Sequence, residues 1–128
     1  MSFHSTTLEV YGAEVYLATA KPAWRALARR IKALDKAPPE SAGLATFATF
    51  HPNDDGLVRP VLVIWLDRAM HKTMADVINT AAHEATHAAS HLLNHIGHTI
   101  RESDEPHAYL VGWLTEWIWD NAEWTADS

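Results

Sequence analysis

At 128 residues and 48% apolar, the chain has the size and composition of one globular domain able to bury a core without covalent staples. A net charge of -6 argues against nucleic acid as a partner, and the lack of cysteine excludes disulfides, thiolate ligands and cysteine nucleophiles. No apolar run reaches membrane-spanning length, and Met1-Ser2-Phe3-His4 lacks the basic-then-apolar order of a signal segment, so a cytoplasmic protein with no membrane partner is expected.

Residues 8–18 hold Val10, Tyr11, Val15, Tyr16 and Leu17 around Gly12 and read as a strand, bent or broken at the glycine. Pro22 suits the first turn of a helix, and Trp24, Leu27, Ile31 and Leu34 recur at helical spacing. Arg25, Arg29 and Lys32 fall off that stripe, as on a solvated face, and Pro38-Pro39 ends the segment. Residues 44–51 read as a second strand and residues 58–66 as a third. Pro52-Asn53-Asp54-Asp55-Gly56 supplies turn chemistry between them, so the two should pair as an antiparallel hairpin. The continuous run Val61-Leu62-Val63-Ile64-Trp65-Leu66 suits an inner strand buried on both faces. Residues 73–96 carry no Pro or Gly and are rich in alanine, which predicts a long helix stopped by Gly97. A last helix is expected over residues 104–121, with Ser103 or Asp104 as cap and Pro106 in its first turn. The expected architecture is α+β: a small sheet of about three strands packed by three helices, in a single domain over residues 1–128 with flexible ends at 1–7 and 122–128.

Within the long helix lies His83-Glu84-Ala85-Thr86-His87. Residues four apart stand one above the other on a helix, so His83 and His87 can present two imidazole nitrogens to one metal ion. Glu84 sits beside the first of them, where its carboxylate can serve as base toward a water that the ion activates. A catalytic zinc takes three protein ligands. Candidates for the third are Glu102, Asp104, Glu105, His107 and Glu116. His91 is excluded from the same ion, because eight residues from His83 is about 12 Å along the axis at 1.5 Å per residue. Glu105 is the best placed, in the first turn of the last helix. Ala108 and Gly112 follow near its face and would let that helix pack close to the alanine-rich one. An acid at a helix N-terminus is also what the macrodipole alone favours.

The pair of motifs, His83-Glu84-x-x-His87 and Asp104-Glu105-Pro106-His107-Ala108-Tyr109-Leu110, resembles the gluzincin class of zinc peptidases. Most of all it resembles the short single-domain proteins of this type encoded by phages and mobile elements. The resemblance covers about residues 60–117. It implies a minimal zincin-like domain, one zinc ion on His83, His87 and Glu105, Glu84 as general base, and a peptide or protein as substrate.

Tyr109, one turn from Glu105, is a candidate donor to the oxyanion of a tetrahedral intermediate, against the plainer expectation of a tyrosine partly buried between helices. His107 should point away from Glu105 and be exposed. Leu110, Trp113, Leu114 and Trp117 form a helical stripe suited to the core, and Trp124 could mark a contact with another chain. Two functions are therefore carried forward. One is a zinc metallopeptidase. The other is a metal-binding interaction or assembly module of a phage or mobile element, without catalysis.

Overall fold

The computed structural model describes residues 3–50, 58–98 and 103–124, the side chain of Phe50 excepted. Four strands, β1 (His4–Leu8), β2 (Ala13–Ala18), β3 (Gly43–Phe50) and β4 (Arg59–Leu66), form one sheet in the order β1-β2-β4-β3. Three helices, α1 (Lys21–Arg30), α2 (Met74–His95) and α3 (Glu105–Asn121), cover it. The α+β expectation stands, with one strand more than foreseen. Gly12 adopts φ 62° and closes a 3-10 turn at Glu9–Tyr11, so the strand expected over residues 8–18 is confined to β2 after the turn, and the chain before the turn pairs antiparallel with it as β1. A left-handed backbone at that point is open to glycine at little steric penalty. Residues 4–7, expected at a flexible end, are thereby tied into the sheet as most of β1.

β4 is the inner strand that its unbroken apolar run predicts. It pairs parallel with β2 and antiparallel with β3. Its side chains divide between two cores. Leu62, Ile64 and Leu66 face α2 and α3, together with Ala13, Val15 and Leu17 of β2. Val61, Val63 and Trp65 face α1, which contributes Ala23, Trp24, Leu27 and Ala28. Trp24 and Trp65 meet edge to face at 6.0 Å, and their indole N–H groups donate to the carbonyls of Asp35 and Ser41. Each fully buried large side chain contributes about 1.5–3 kcal/mol, so the sheet is held from both sides. The antiparallel β3–β4 pairing runs from Gly43 opposite Leu66 to Phe50 opposite Arg59, and leaves β3 as the outer strand. The expected turn at residues 52–56 lies outside the described residues.

The end of α3 is also better tied than foreseen. Ala122 is buried, and Glu123 contacts His4 and Arg68 and accepts a hydrogen bond from the Thr19 hydroxyl. The Trp124 indole N–H donates to the His71 carbonyl at 3.1 Å, so Trp124 packs on its own chain.

Candidate metal centre on the second helix

Helix α2 starts where Thr73 and Asp76 cap each other. The Asp76 N–H donates to the Thr73 hydroxyl at 3.1 Å, and the Thr73 N–H donates to the Asp76 carboxylate at 3.2 Å. The Lys72 and Thr73 N–H groups hold the Asp76 carboxyl below the usual carboxylate range. At the other end Gly97 takes φ 82°, the left-handed stop that its sequence position predicts. Between these ends the helix is sorted by face. Val77, Ala81, Ala85, Ala88, Ala89, Leu92 and Leu93 are buried against the sheet and α3. Small alanines on this face bring the helix backbone close to its neighbours.

His83 and His87 lie on the exposed face. Their Nε2 atoms are 3.1 Å apart, and their rings meet edge to face with centroids at 4.7 Å. Two imidazoles bound tetrahedrally to zinc at about 2.0–2.1 Å would place their nitrogens about 3.3 Å apart. The pair therefore has the spacing of two ligands of one ion.

Glu84, one position on, is rotated about 100° around the helix axis. This turns it from the open face toward the start of β3, where it is only 7% exposed. Its carboxylate lies against Gly43, so close that a Cβ built on Gly43 would stand 2.7 Å from Oε2. Burial pushes the carboxyl above its ordinary pKa, and the His83 and His87 imidazoles pull it partly back. No hydrogen bond from the described residues stabilises the charged form. A carboxylate in that state is a better proton acceptor than a solvated one.

A residue the sequence reading passed over, His71, supports this corner. It is buried, and its Nδ1 is 2.6 Å from the Asp67 carbonyl and its Nε2 2.7 Å from the Thr80 hydroxyl. A carbonyl only accepts, so Nδ1 carries a proton and donates to Asp67, while Nε2 and the Thr80 hydroxyl share the second hydrogen bond. Thr80 is one turn before Glu84, and its Cγ2 faces the same Gly43. No spacing rule marks His71, because its partners come from the loop after β4 and from the helix.

The first turns of α3 depart from expectation. Glu105 opens the helix on its exposed side. Ala108 and Gly112, expected to face α2, are exposed, and a Cβ at Gly112 would meet nothing within 4 Å. The inward stripe of α3 is instead Leu110, Leu114 and Ile118, which places Glu105 off it. Tyr109 is 71% exposed, buried in no helix interface. It lines a shallow groove with Thr7, Val10, Tyr11 and Trp113, whose lining includes none of His83, Glu84, His87 and Glu105. His107, expected to be exposed, is half-buried on α2, with Nε2 3.2 Å from the Ser90 hydroxyl. Asp104 and Glu116 are exposed, and Glu102 lies outside the described residues. Among the described residues no three His, Asp or Glu side chains stand together as a metal-binding group. The structure thus pairs His83 with His87 on the open face, turns the neighbouring Glu84 inward against Gly43, and adds neither Glu105 nor Tyr109 to the pair.

No family model, curated protein or solved structure matches the chain. Among the described residues no helix is long and apolar enough to cross a membrane.

Proposed function

We propose that the protein is a zinc-dependent metallopeptidase, with His83 and His87 as the core of the metal site and Glu84 as general base. The observation that carries this reading is the 3.1 Å approach of the two Nε2 atoms beside a carboxylate only 7% exposed. When bound, zinc would supply a water acidified to near-neutral pKa and a Lewis-acid contact for the scissile carbonyl. His83 and His87 orient that chemistry on the open face. Glu84 would serve as the base toward such a water and as the proton donor to the leaving amine, and its burial raises its affinity for a proton.

Glu105 is the third ligand in this proposal on the strength of the motif resemblance. That role requires the first turn of α3 to bring the carboxylate in from its exposed position. Tyr109, exposed and lining a groove with residues of β1 and the turn after it, is left out of the proposed site. The substrate class is a peptide or protein, and the proposed setting is the cytoplasm.

A second reading, a metal-binding assembly module without catalysis, is favoured by the exposed placement of Glu105. Glu84→Gln separates the two. The peptidase reading expects this variant to retain zinc, measured by elemental analysis of tag-free protein, and to lose hydrolysis of a peptide library. Wild-type protein that holds zinc and cleaves nothing would support the module.

A further inference from the structure

The two motif histidines are the lower half of a longer ladder. α2 carries histidine at 83, 87, 91 and 95, each four residues from the last, and all four are exposed. We propose that the upper two, His91 and His95, form a second site for a divalent transition-metal ion, separate from the His83–His87 pair.

Helical geometry supplies the first part of the argument. Side chains four apart stand about 5–6 Å from Cβ to Cβ, which lets two imidazoles share an ion. Four residues advance about 400° at 3.6 residues per turn, so each rung is offset about 40° from the one below. The ladder therefore winds from the open face at His83 to the flank beside β3 at His95. There the His95 ring lies 4.9 Å from the Phe47 ring at a tilt of 41°. Among the described residues no hydrogen bond reaches a His91 or His95 ring nitrogen, both side chains are exposed, and the contact with Phe47 is the one ring contact His95 makes there. His98, three residues on, is not part of the set, because its Nε2 lies 2.8 Å from the Ser103 carbonyl.

Occupancy supplies the second part. With an ion on His83 and His87, His91 has only His95 left as a ladder partner. Two ions then fit on four rungs, about 12 Å apart at 1.5 Å per residue over eight residues. Any other register, with His87 and His91 sharing an ion, strands the outer two histidines and allows one ion only. The site has two imidazole ligands and leaves its remaining positions to water. Copper(II), nickel(II) and zinc(II) suit such a nitrogen pair, and copper(II) binds tightest in the divalent series. No residue of the site takes part in the proposed hydrolysis, so its existence does not depend on that function.

Copper(II) alone, titrated into tag-free full-length protein, provides the test. Wild type should take up two ions, and the electron paramagnetic resonance spectrum at saturation should show dipolar broadening between ions about 12 Å apart. His91→Ala and His95→Ala should each bind one ion and lose the broadening. His83→Ala should also bind one, on the upper pair, even if the lower pair proves to have no role in hydrolysis. These are exposed side chains, and far-UV circular dichroism verifies that each variant keeps its helices. The inference is overturned if wild type binds a single ion, or if both His91→Ala and His95→Ala still bind two.

Discussion

Gly43 and Glu84 occupy space that only glycine leaves free. A Cβ on Gly43 would stand 2.7 Å from the Glu84 Oε2, 3.0 Å from its Cγ and 2.7 Å from the Thr80 Cγ2. The carboxylate can turn aside, but Thr80 is β-branched and its hydroxyl is bonded to His71, so it resists moving. Gly43→Ala should therefore destabilise the fold by about 1–3 kcal/mol, the usual range for an overpacked site. It should also drive the Glu84 carboxylate toward solvent. A urea unfolding midpoint measures the first effect. An unchanged midpoint would show that β3 and α2 separate more easily than this contact implies.

Glu84→Gln should have opposite effects on activity and stability. The proposed peptidase activity should fall by about 10²–10⁴-fold, the share of a positioned acid–base group. Stability of the metal-free protein rises at neutral pH. The sign follows from the raised pKa of the buried carboxyl. A carboxyl whose folded pKa lies above its unfolded value favours folding while protonated. That advantage is complete below the unfolded pKa and is lost as pH climbs through the folded one. Glutamine cannot ionise, so its gain over glutamate should appear above the ordinary glutamate range and vanish below it. Thermal melts in chelator at acidic and neutral pH verify this, and a gain that persists unchanged at acidic pH would refute the linkage.

The two halves of the candidate site differed in how far the sequence exposed them. His83, Glu84 and His87 depend only on the 3.6-residue period of one helix, and the capping box at Thr73 and the stop at Gly97 fix that helix from local residues. The outer position of β3 and the inner position of β4 likewise followed from their contrasting side-chain patterns. The face of α3 followed in part: Leu110 and Leu114 of the expected apolar stripe are buried and Trp113 and Trp117 pack half-buried on the core, but Ala108 and Gly112, also expected inward, are exposed. Ala108 and Gly112 looked like a close-packing stripe, yet Leu110, Leu114 and Ile118 bury more apolar area, and they set the rotation of the helix. That rotation carries Glu105 outward and His107 inward. The break at Gly12 was legible, but the pairing of β1 with β2 was not, because Leu8 is the only large apolar side chain between His4 and Leu8, and residues 4–7 read as a free end.

Metal analysis should separate the two halves of the proposed ligand set. His83→Ala and His87→Ala each remove one of the paired nitrogens and should abolish stoichiometric zinc at the lower site. Glu105→Gln should weaken zinc binding if the first turn of α3 closes on the ion, about 10-fold or more by the measure of other ligand-shell losses. Equilibrium titration against a zinc chelator reads both. Zinc affinity unchanged in Glu105→Gln would assign the third position to water or to another residue.

Thr80→Val tests the corner behind the base. The substitution preserves shape and keeps a methyl against Gly43, but it leaves the buried His71 Nε2 without its partner. An unsatisfied buried donor or acceptor costs about 1–3 kcal/mol, so the unfolding midpoint should fall accordingly. His71→Phe in the same background should then add little of the hydrogen-bond loss a second time, because the two residues share one bond. Fully additive losses in this double-mutant cycle would mean that His71 and Thr80 act independently.

The outer strand β3 suggests where an extended peptide would lie. One side of β3 pairs with β4, and among the described strands no other pairs with its far side. Unpaired N–H and C=O groups on an edge can accept another strand through main-chain hydrogen bonds, which demand little of the peptide's sequence. α2 packs beside β3, with Glu84 against Gly43 at one end and His95 against Phe47 at the other. A peptide added to β3 near residues 46–49 would therefore run along the flank of the helix that carries the candidate base. Amide hydrogen exchange on zinc-loaded protein, with and without a peptide-like inhibitor bearing a zinc-binding group, should show new protection in β3. The matching amides of β4 should change little, because they are already paired on both sides. Protection that appears in the groove around Tyr109 and never in β3 would place the peptide on the opposite edge of the sheet and remove β3 from substrate binding.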